Sequence, residues 1–304
     1  MIVGRFAPSP TGPLHYGSLV AALGSWLFAR STGGRWLLRI DDLDRQRVIP
    51  GMADDIMRTL ELLGFEWDDA PVWQSRRTEA YAAALQALKR KGVVYPCACS
   101  RAEIASIATA PHGADEMVYP GTCRAGIKEG RESRSLRVRV PDAEFFFDDG
   151  VMGRFTQKLT AACGDFVVRR ADGLFAYHLA TVVDDADAGV NQVVRGFDLI
   201  SSTPRQIYLQ QLLGVAPPAY MHLPLVTDPS GAKLSKRDCA VSLQAGRKQL
   251  DDAAALLLGA LEFLGQDTSC FDSKALPHEI LTSAARIFAP EKIPICPAPF
   301  RRVP

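Results

Sequence analysis

The sequence predicts an α/β fold in which helices cover a parallel sheet, with an insertion and a short helical C-terminal region. Three observations support this prediction. Short apolar runs alternate with amphipathic stretches over the first ninety residues, cysteines and glycines cluster after Cys97, and only helical patterns follow Ser242. The alternation is typical of β–α–β units, whose crossover helices pack on the faces of a parallel sheet.

The first elements follow the hydrophobic pattern in chain order. Apolar residues recur at helical spacing between residues 16 and 30, and Gly33-Gly34 follows as a stop signal. The run at residues 36–40 is almost continuously apolar, which is typical of a strand buried on both faces. The predicted elements here are strands at residues 2–6, 36–40 and 93–95 and helices at residues 16–30, 52–63 and 79–91.

The pattern changes at Cys97, where the predicted insertion begins. Residues 136–140 alternate apolar and charged side chains, as a half-exposed antiparallel strand does. After the insertion we predict strands at residues 166–168, 193–194 and 223–226 and a helix at residues 204–213. The predicted regions are residues 1–96 and 161–242, the two halves of one sheet domain, residues 97–160, the insertion, and residues 243–304, a helical C-terminal region.

The composition excludes several classes of protein. Of the 304 residues, 47% are hydrophobic and 23% are charged, and the formal net charge is +1. These values exclude predominant disorder and a polycation that coats nucleic acid. Neither an apolar run long enough for a membrane span nor a secretory signal is present, so we expect a cytoplasmic protein without a membrane partner. The odd number of cysteines, seven, favours reduced thiols, some of them on a metal.

The first candidate site reads Arg-Phe-Ala-Pro-Ser-Pro-Thr-Gly-Pro-Leu-His-Tyr-Gly-Ser at residues 5–18. A strand leads into a proline- and glycine-rich turn, and a helix begins at or just after His15. Free backbone N–H groups and the helix dipole make such a helix start suitable for a phosphate. His15 adds a donor, and Gly17 lets a flat base approach the backbone. Composition alone favours a plain turn before a core helix.

The second candidate site is Lys233-Leu234-Ser235-Lys236-Arg237, which follows the turn signal Asp-Pro-Ser-Gly at residues 228–231. Three cations within five residues suit a loop that neutralises a polyphosphate. Taken alone, a solvated basic loop is the more frequent explanation of such a cluster.

Together the two sites resemble the paired signatures of class I aminoacyl-tRNA synthetases. The first is similar to the HIGH-type motif, with His15 and Gly17 retained and Ser18 in place of the last histidine, and the second is similar to the KMSKS-type motif. Residues 5–12, the run Leu-Arg-Ile-Asp-Asp-Leu-Asp at 38–44 and Val-Arg-Gly-Phe-Asp-Leu at 194–199 resemble the glutamyl branch. The resemblance covers about residues 3 to 240.

The resemblance implies a Rossmann-like catalytic domain that activates L-glutamate with ATP and Mg²⁺. His15 and Lys236 are the expected catalytic residues, and Gly17 and Lys233 the further ATP contacts. A guanidinium group binds a carboxylate through two parallel hydrogen bonds, which makes Arg5 and Arg195 candidates for the substrate side chain. The implied glutamate site comprises Arg5, Phe6, Ala7, Pro8, Ser9, Asp41, Tyr177 and Arg195. Asp41 departs from many relatives, which carry glutamate there, and its side chain is one methylene shorter, so its contact with the α-ammonium group is lengthened or redirected.

A third candidate site is a cysteine cluster in the insertion. Cys97, Cys99 and Cys123 have a spacing that lets their thiolates converge on one ion, and zinc is the usual ion in such sites. The resemblance implies a structural Zn²⁺ with Tyr119 as the fourth ligand. His112 and a water molecule remain alternatives for that position, and buried structural thiols without a metal are the alternative to the whole site.

The acceptor of the glutamate follows from chain length within the resemblance. Glutamyl- and glutaminyl-tRNA synthetases carry a large anticodon-binding region after the KMSKS-type loop, and little sequence follows residue 237. The chain therefore resembles truncated paralogues that transfer glutamate to the queuosine in the anticodon stem-loop of tRNA(Asp). We expect a monomer. Candidate RNA phosphate contacts are Arg131, Arg134, Arg137, Arg169 and Arg170.

Two alternatives remain open at this point. A compact glutamyl-tRNA synthetase would charge the 3′ end of a tRNA, whereas a catalytically silent zinc-containing paralogue would only bind RNA or a metabolite. Labelling of tRNA(Glu) would favour the first alternative. Absence of glutamate-dependent exchange between ATP and pyrophosphate would favour the second.

Overall fold

A computed structural model describes residues 1–107, 118–227, 248–272, 275–296 and 298–299. The strands are β1 (Val3–Phe6), β2 (Arg35–Ile40), β3 (Asp68–Trp73), β4 (Val94–Cys97), β5 (Ser135–Val138), β6 (Glu144–Asp149), β7 (Gly153–Lys158), β8 (Phe166–Arg169), β9 (Gln192–Gly196), β10 (Ala219–Leu223), β11 (Val226–Thr227) and β12 (Ala298–Pro299). The α-helices are α1 (Tyr16–Arg30), α2 (Met52–Leu62), α3 (Thr78–Arg90), α4 (Arg101–Ile107), α5 (Leu159–Ala162), α6 (Tyr177–Asp187), α7 (Thr203–Leu213), α8 (Lys248–Phe263) and α9 (Pro277–Ile287).

Parallel strands form the centre of the molecule, as the sequence predicts. β2 pairs with β1 on one side and with β3 on the other, and β10 pairs with β9. β9 lies next to β1, because Asn191 at its start donates its backbone N–H to Val3 O at 3.1 Å. The chain order reverses between β1 and β9, and ligands of such sheets bind beyond the carboxyl ends of the strands at that point.

Helix α1 begins at Tyr16, directly after His15, and is buried against the sheet. It carries no charged residue before Arg30, and Leu19, Leu23 and Leu27 are fully buried. A helix that is apolar on every side requires cover on every side. β1 and β9 cover one side of α1, and α8 and α9 pack against the other. The C-terminal helices therefore fix the helix whose N-terminus faces the predicted site.

Strand β5 of the insertion pairs antiparallel with β4 and β8, the strands at its two ends, and β6 and β7 form a hairpin within it. The strand predicted at residues 93–95 was expected in the parallel sheet, and that expectation is wrong: β4 pairs with β5 in the antiparallel sheet. A short apolar run predicts a strand but carries no information about its partner.

Two elements on the parallel sheet were not predicted. β3 contains two aspartates and a proline, which lower strand propensity, and α6 contains β-branched residues that lower helix propensity. Their packing against β2 and against α3 and α7 outweighs these local preferences.

The helical C-terminal region agrees with the sequence over its described part, where α8 and α9 dominate. The proline-rich end also contributes β12, a short strand that pairs with β11. None of the helices in the described ranges combines the length and the apolar character needed to cross a membrane.

Candidate functional site

A cavity of about 340 Å³ opens at the carboxyl ends of β1 and β9. Ten of the predicted site residues line it, and they come from the β1 turn, the start of α1, the end of β2, the start of α6 and the end of β9: Arg5, Phe6, Ala7, Pro8, Ser9, His15, Gly17, Asp41, Tyr177 and Arg195. Lys233 and Lys236, the remaining predicted ATP contacts, lie outside the described residues.

The helix start at His15 forms one wall of the cavity. His15 caps α1 by accepting a hydrogen bond at Nδ1 from the backbone N–H of Ser18, at 3.2 Å. Its proton therefore lies on Nε2, which is 2.9 Å from Ser18 Oγ. A side chain at Gly17 would place Cβ only 3.3 Å from the imidazole of His15. Glycine thus keeps the first turn of α1 open to a flat or phosphorylated group.

Charged side chains at the base of the cavity form a buried network. Asp185 of α6 accepts hydrogen bonds from Arg5 Nε at 3.2 Å and from Arg39 Nη1 at 2.6 Å. Arg39 also donates through Nε to Asp41, at 2.6 Å. Burial alone would raise the pKa of Asp185, but Arg5 and Arg39 outweigh it and hold the pKa below its usual value. Both guanidinium groups are therefore paired with carboxylates.

Asp41 lies against Arg39 rather than standing alone in the cavity. Burial raises the pKa of Asp41 above its usual value, although Arg39 opposes this rise. Its backbone N–H donates to Pro8 O at 2.9 Å, which joins the end of β2 to the turn after β1. The contact of Asp41 with an α-ammonium group remains a prediction, and a ligand would share this carboxylate with Arg39.

Asp184, the neighbour of Asp185 on α6, forms a second set of hydrogen bonds beside this network. Its carboxylate accepts hydrogen bonds from Gln74 at 2.7 Å, from Arg77 at 2.6 Å and from the hydroxyl of Tyr81 at 2.8 Å. Burial, followed by the charge of Asp184, raises the pKa of Tyr81, so its hydroxyl remains a donor. These contacts fix the end of α6 and with it the position of Asp185.

Arg195 differs from the other buried arginines of the cavity in its partners. Its Nε lies 3.0 Å from His222 Nε2, and its Nη2 donates to Thr203 Oγ1 at 2.7 Å. Its Nη1 is buried without a hydrogen-bond partner. Among the described residues, no carboxylate lies within ion-pair distance of this guanidinium. Burial lowers the pKa of Arg195, but an arginine remains charged at neutral pH.

The cysteine cluster lies in the insertion and contributes no residue to the lining of the cavity. The sulfur atoms of Cys97, Cys99 and Cys123 lie within 4.8 Å of one another, and all three side chains are buried. Tyr119 Oη is 3.4 Å from Cys97 Sγ and accepts the backbone N–H of Cys123 at 2.8 Å. Three thiols and one phenol oxygen around one point fit a tetrahedral zinc site. His112, the alternative fourth ligand, lies outside the described residues.

The surroundings of Cys97 favour a negatively charged sulfur, whereas burial raises the pKa of Cys99 to about 11. Arg137 donates through Nε to Cys97 Sγ at 3.4 Å, and its guanidinium stacks on the ring of Tyr119. Burial alone would raise the pKa of Cys97, but hydrogen bonds from Tyr119, the Cys99 backbone and Arg137 lower the pKa to about 7. A side chain at Gly164 would meet Tyr119 O at 2.2 Å, so glycine is required where the backbone approaches this residue.

The candidate RNA contacts differ in their burial and in their partners. Arg137 is buried beneath the cysteine cluster, so its predicted contact with RNA phosphate is wrong, because its guanidinium is committed to Cys97 and Asp165. Arg131 is paired with Glu103. The other three candidates line a cleft of about 330 Å³ beside Lys89: Arg134, Arg169 and Arg170.

Residues of the cleft contact residues that are near the cavity lining in sequence. Arg170 donates to Asp44 at 2.9 Å, and Asp44 follows the site residue Asp41 by three positions. Arg169 stacks on the ring of Phe175, two residues before Tyr177 in the cavity wall. A chain of residues therefore connects the basic cleft to the cavity.

Comparison with known families agrees with this architecture. The family model for the catalytic domain of class I tRNA synthetases for glutamate and glutamine matches residues 1–283. The chain belongs to this family. The expected class I synthetase fold is thereby confirmed, and so is the expectation of a ligase that uses ATP and acts on an amino acid and a tRNA.

Individual relatives indicate which members of the family the chain resembles. The chain is 59% identical over 304 residues to the glutamyl-Q tRNA(Asp) synthetase of Geobacter sulfurreducens, covering 100% of this chain and 97% of the relative. It is 57% identical over 265 residues to the protein of that name from Dechloromonas aromatica, covering 86% of each chain. A crystal structure of a glutamate tRNA ligase from Elizabethkingia meningosepticum with its amino acid is similar at a TM-score of 0.82 and 26% identity, covering 99% of this chain and 67% of that chain.

Several residues of the site were missed by the sequence analysis. Asp185 and His222 were not singled out, and Arg39 was quoted within a motif without a role. The signal for Asp185 was available: two adjacent aspartates follow the apolar run at residues 179–183, and acidic groups beside such a run are buried only when they are paired. His222 stands alone among apolar residues of β10, a pattern that gave no indication of its partners.

Proposed function

We propose that this protein activates glutamate with ATP and transfers it to the queuosine of tRNA(Asp). The α-carboxylate of glutamate attacks the α-phosphorus of ATP, pyrophosphate leaves, and glutamyl-adenylate forms. A hydroxyl of the cyclopentene-diol of queuosine then attacks the glutamyl carbonyl, and AMP leaves. The protein's task in both steps is positioning and charge neutralisation, as in phosphoryl transfer generally.

The observation that carries the glutamate assignment is the unpaired charge of Arg195. Arg5 and Arg39 are neutralised by Asp185 and Asp41, whereas Arg195 contacts only neutral groups. A buried, uncompensated cation is costly unless the ligand brings an anion. Glutamate carries a net charge of −1, and its side-chain carboxylate would accept the free N–H groups of Arg195 Nη1. Glutamine would leave the charge unpaired.

The start of α1 supports the ATP part of the proposal. The first turn of α1 contains no acidic side chain, and its N–H groups and dipole favour the phosphates. Gly17 leaves space beside His15 for the nucleotide. Lys236, with Lys233, would neutralise the triphosphate during departure of pyrophosphate, and Mg²⁺ would accompany ATP.

The remaining contacts of glutamate follow from the lining of the cavity. Tyr177 opens α6 at the rim, where 37% of the residue is exposed, so its hydroxyl can reach a ligand. Asp41 is placed to meet the α-ammonium group, and Ala7 and Ser9 to line the backbone side of the substrate. Together with Arg195, these residues would contact every part of the glutamate substrate.

The basic cleft supports a docking site for the anticodon stem-loop. Lys89, Arg134 and Arg169 are exposed, and cationic side chains of this kind bind RNA phosphates without reading sequence. RNA that binds along this cleft would place a base near the cavity through the connection between Arg170 and Asp44. The names of the relatives at 50% to 59% identity support queuosine as the acceptor.

Zinc would be held by Cys97, Cys99, Cys123 and Tyr119. The ion would crosslink the start of the insertion to the segment around residue 120 and so supply stability rather than chemistry. Arg137 would balance part of the negative charge of the ligands through its contact with Cys97 Sγ.

The proposal is tested by glutamate-dependent exchange between ATP and pyrophosphate without tRNA, followed by transfer of labelled glutamate. We expect exchange with glutamate alone, and transfer to queuosine-containing tRNA(Asp) but not to tRNA(Asp) without queuosine. Lys236→Ala is expected to reduce exchange by about 100-fold, since one well-placed donor contributes that much to a transition state. Charging of tRNA(Glu) would indicate the 3′-end reaction, and absence of exchange would overturn the proposal.

A further inference from the structure

The guanidinium of Arg195 is held by a relay of two buried side chains, His222 and Asp149, which are hydrogen-bonded in series. His222 Nε2 lies 3.0 Å from Arg195 Nε, and the other ring nitrogen, Nδ1, lies 2.5 Å from Asp149 Oδ2. The side chains of Asp149 and His222 have no exposed surface. This chain runs from the hairpin of the insertion to the base of the cavity.

The register of the sheet sets the first link of the chain. β9 and β10 pair in parallel, and His222 is the partner of Arg195 in that pairing. Paired residues of neighbouring strands project to the same face, so imidazole and guanidinium lie side by side. The ring of Tyr220, two residues before His222, lies nearly parallel to the imidazole, with the ring centroids 6.4 Å apart.

The second link fixes the carboxylate of Asp149. Its Oδ1 accepts three backbone N–H groups, from Val151 at 3.0 Å, Met152 at 2.9 Å and His222 at 3.0 Å. Burial alone would raise the pKa of Asp149, but the hydrogen bonds from His222 and these N–H groups lower the pKa below its usual value. The carboxylate is therefore ionised and directs Oδ2 at the imidazole.

The hydrogen bonds determine the tautomer of His222. Arginine has no acceptor, so Nε2 must present its lone pair to Arg195 Nε–H. Burial and then the charge of Arg195 lower the pKa of His222, although Asp149 opposes this, and the ring is neutral at pH 7. Its single proton lies on Nδ1 and is donated to Asp149. Every group in the chain has one possible direction of hydrogen bonding.

We infer that Asp149 and His222 are positioning residues that aim Arg195 Nη1 at the side-chain carboxylate of the substrate and thereby set the preference for glutamate over glutamine. The inference rests on the proposed function. A neutral acceptor at Nε holds the guanidinium without neutralising it, so the guanidinium retains its charge, and Nη1 is left without a protein partner in a residue that lines the cavity. A carboxylate in the place of the imidazole would fix the same orientation but cancel the charge.

Asp149→Asn tests the relay with almost no change in shape. The three backbone N–H groups around Oδ1 would retain the amide oxygen, and the amide NH₂ would then face His222 Nδ1. That contact drives the ring proton to Nε2, where it opposes Arg195 Nε–H and turns the guanidinium away. Asp148→Asn is the matched control, since Asp148 is the exposed neighbour on the same strand.

The readouts separate positioning from a merely structural role. In the exchange reaction, Asp149→Asn should raise KM for glutamate by about 10-fold and lower the glutamate-to-glutamine ratio of kcat/KM by about 10-fold, with KM for ATP within about twofold of wild type. NMR of ¹⁵N-labelled histidine should show the His222 proton on Nδ1 in the wild type and on Nε2 in Asp149→Asn. Asp148→Asn should match the wild type in every measurement.

The outcomes are distinguishable. Absence of glutamate-dependent exchange in the wild type overturns the proposed function. Normal wild-type exchange together with unchanged KM and discrimination in folded Asp149→Asn overturns the relay alone. Should Asp149→Asn fail to fold, His222→Gln and His222→Leu decide the question: glutamine retains an acceptor for Arg195 and should keep the discrimination within about threefold, whereas leucine should lose about 10-fold. Equal discrimination in these two variants overturns the relay.

Discussion

Among the residues that the structure describes, Arg195 is the one buried arginine of the cavity without a carboxylate partner, and replacement by glutamine removes its guanidinium. The variant Arg195→Gln keeps a polar side chain that can still reach His222 or Thr203, so it tests the charge and the Nη1 edge rather than packing. Arg5 and Arg39 keep their contacts with Asp185 in this variant, because neither contacts Arg195.

The structure gives the magnitude of the expected effect. Nε and Nη2 of Arg195 have protein partners, whereas Nη1 is buried with no partner for either of its two hydrogens, which the proposed function assigns to a carboxylate. Each charge-assisted hydrogen bond contributes about 1.5 kcal/mol, so two contribute about 3 kcal/mol, or roughly 100-fold in kcat/KM for glutamate. The side-chain carboxylate is remote from the reacting carboxylate, so the loss should appear in KM and leave kcat nearly unchanged.

The assay is exchange between ATP and pyrophosphate across a range of glutamate concentrations, without tRNA. Arg154→Gln, an exposed arginine of β7, is the control and should behave as the wild type. Arg195→Lys retains a charge without the planar fork and should fall between wild type and Arg195→Gln. A change below about threefold in kcat/KM for Arg195→Gln would refute the assignment, since even one lost charge-assisted bond exceeds that value.

Three further predictions concern other parts of the molecule. Cys123→Ser should reduce bound zinc, measured by elemental analysis, from one ion per chain to nearly none, whereas Cys163→Ser should retain it. Burial holds the pKa of His178 well below its usual value, so the unfolded chain alone takes up this proton near pH 6. The wild type should therefore lose about 1.4 kcal/mol more unfolding free energy than His178→Gln between pH 8 and pH 5.5, measured by urea titration; equal losses would contradict this. Thr203→Asp places a carboxylate against Arg195 and should weaken binding of glutamate at least about 10-fold, whereas Thr203→Ser should bind normally in calorimetry.

The local part of the fold could be predicted from the sequence. The bounds of α1 follow from helical spacing between His15 and the glycines after Arg30, and both signals are contained in twenty residues. The partner of β4 could not be predicted, because strand pairing depends on residues forty positions away. The helix α6 was missed because its β-branched residues are held in place by packing between α3 and α7.

The residues of the site also fall into those that the sequence could predict and those that it could not. Residues within one continuous motif, such as Ala7, Ser9 and His15, could be named because the motif can be recognised without knowledge of the fold. The partners that orient them could not: Asp185 is 180 residues from Arg5, and Asp149 is 73 from His222. Arg137 shows the converse error, since an alternating strand predicted an exposed side chain where the structure has a buried one.

The difference between the arginines of the cavity explains how the site can select an anion. Arg5 and Arg39 share Asp185, so their charges fix α6 against the sheet and offer little to a ligand. Arg195 is equally buried but is held by an imidazole, a hydroxyl and a carbonyl, none of which carries a charge. Under the proposed function, the free energy that a buried cation gains from a carboxylate is therefore left for the substrate. Selectivity at this position depends less on the presence of an arginine than on the absence of an acidic neighbour, and that absence is a property of β10 and α7 rather than of the motif that contains Arg195.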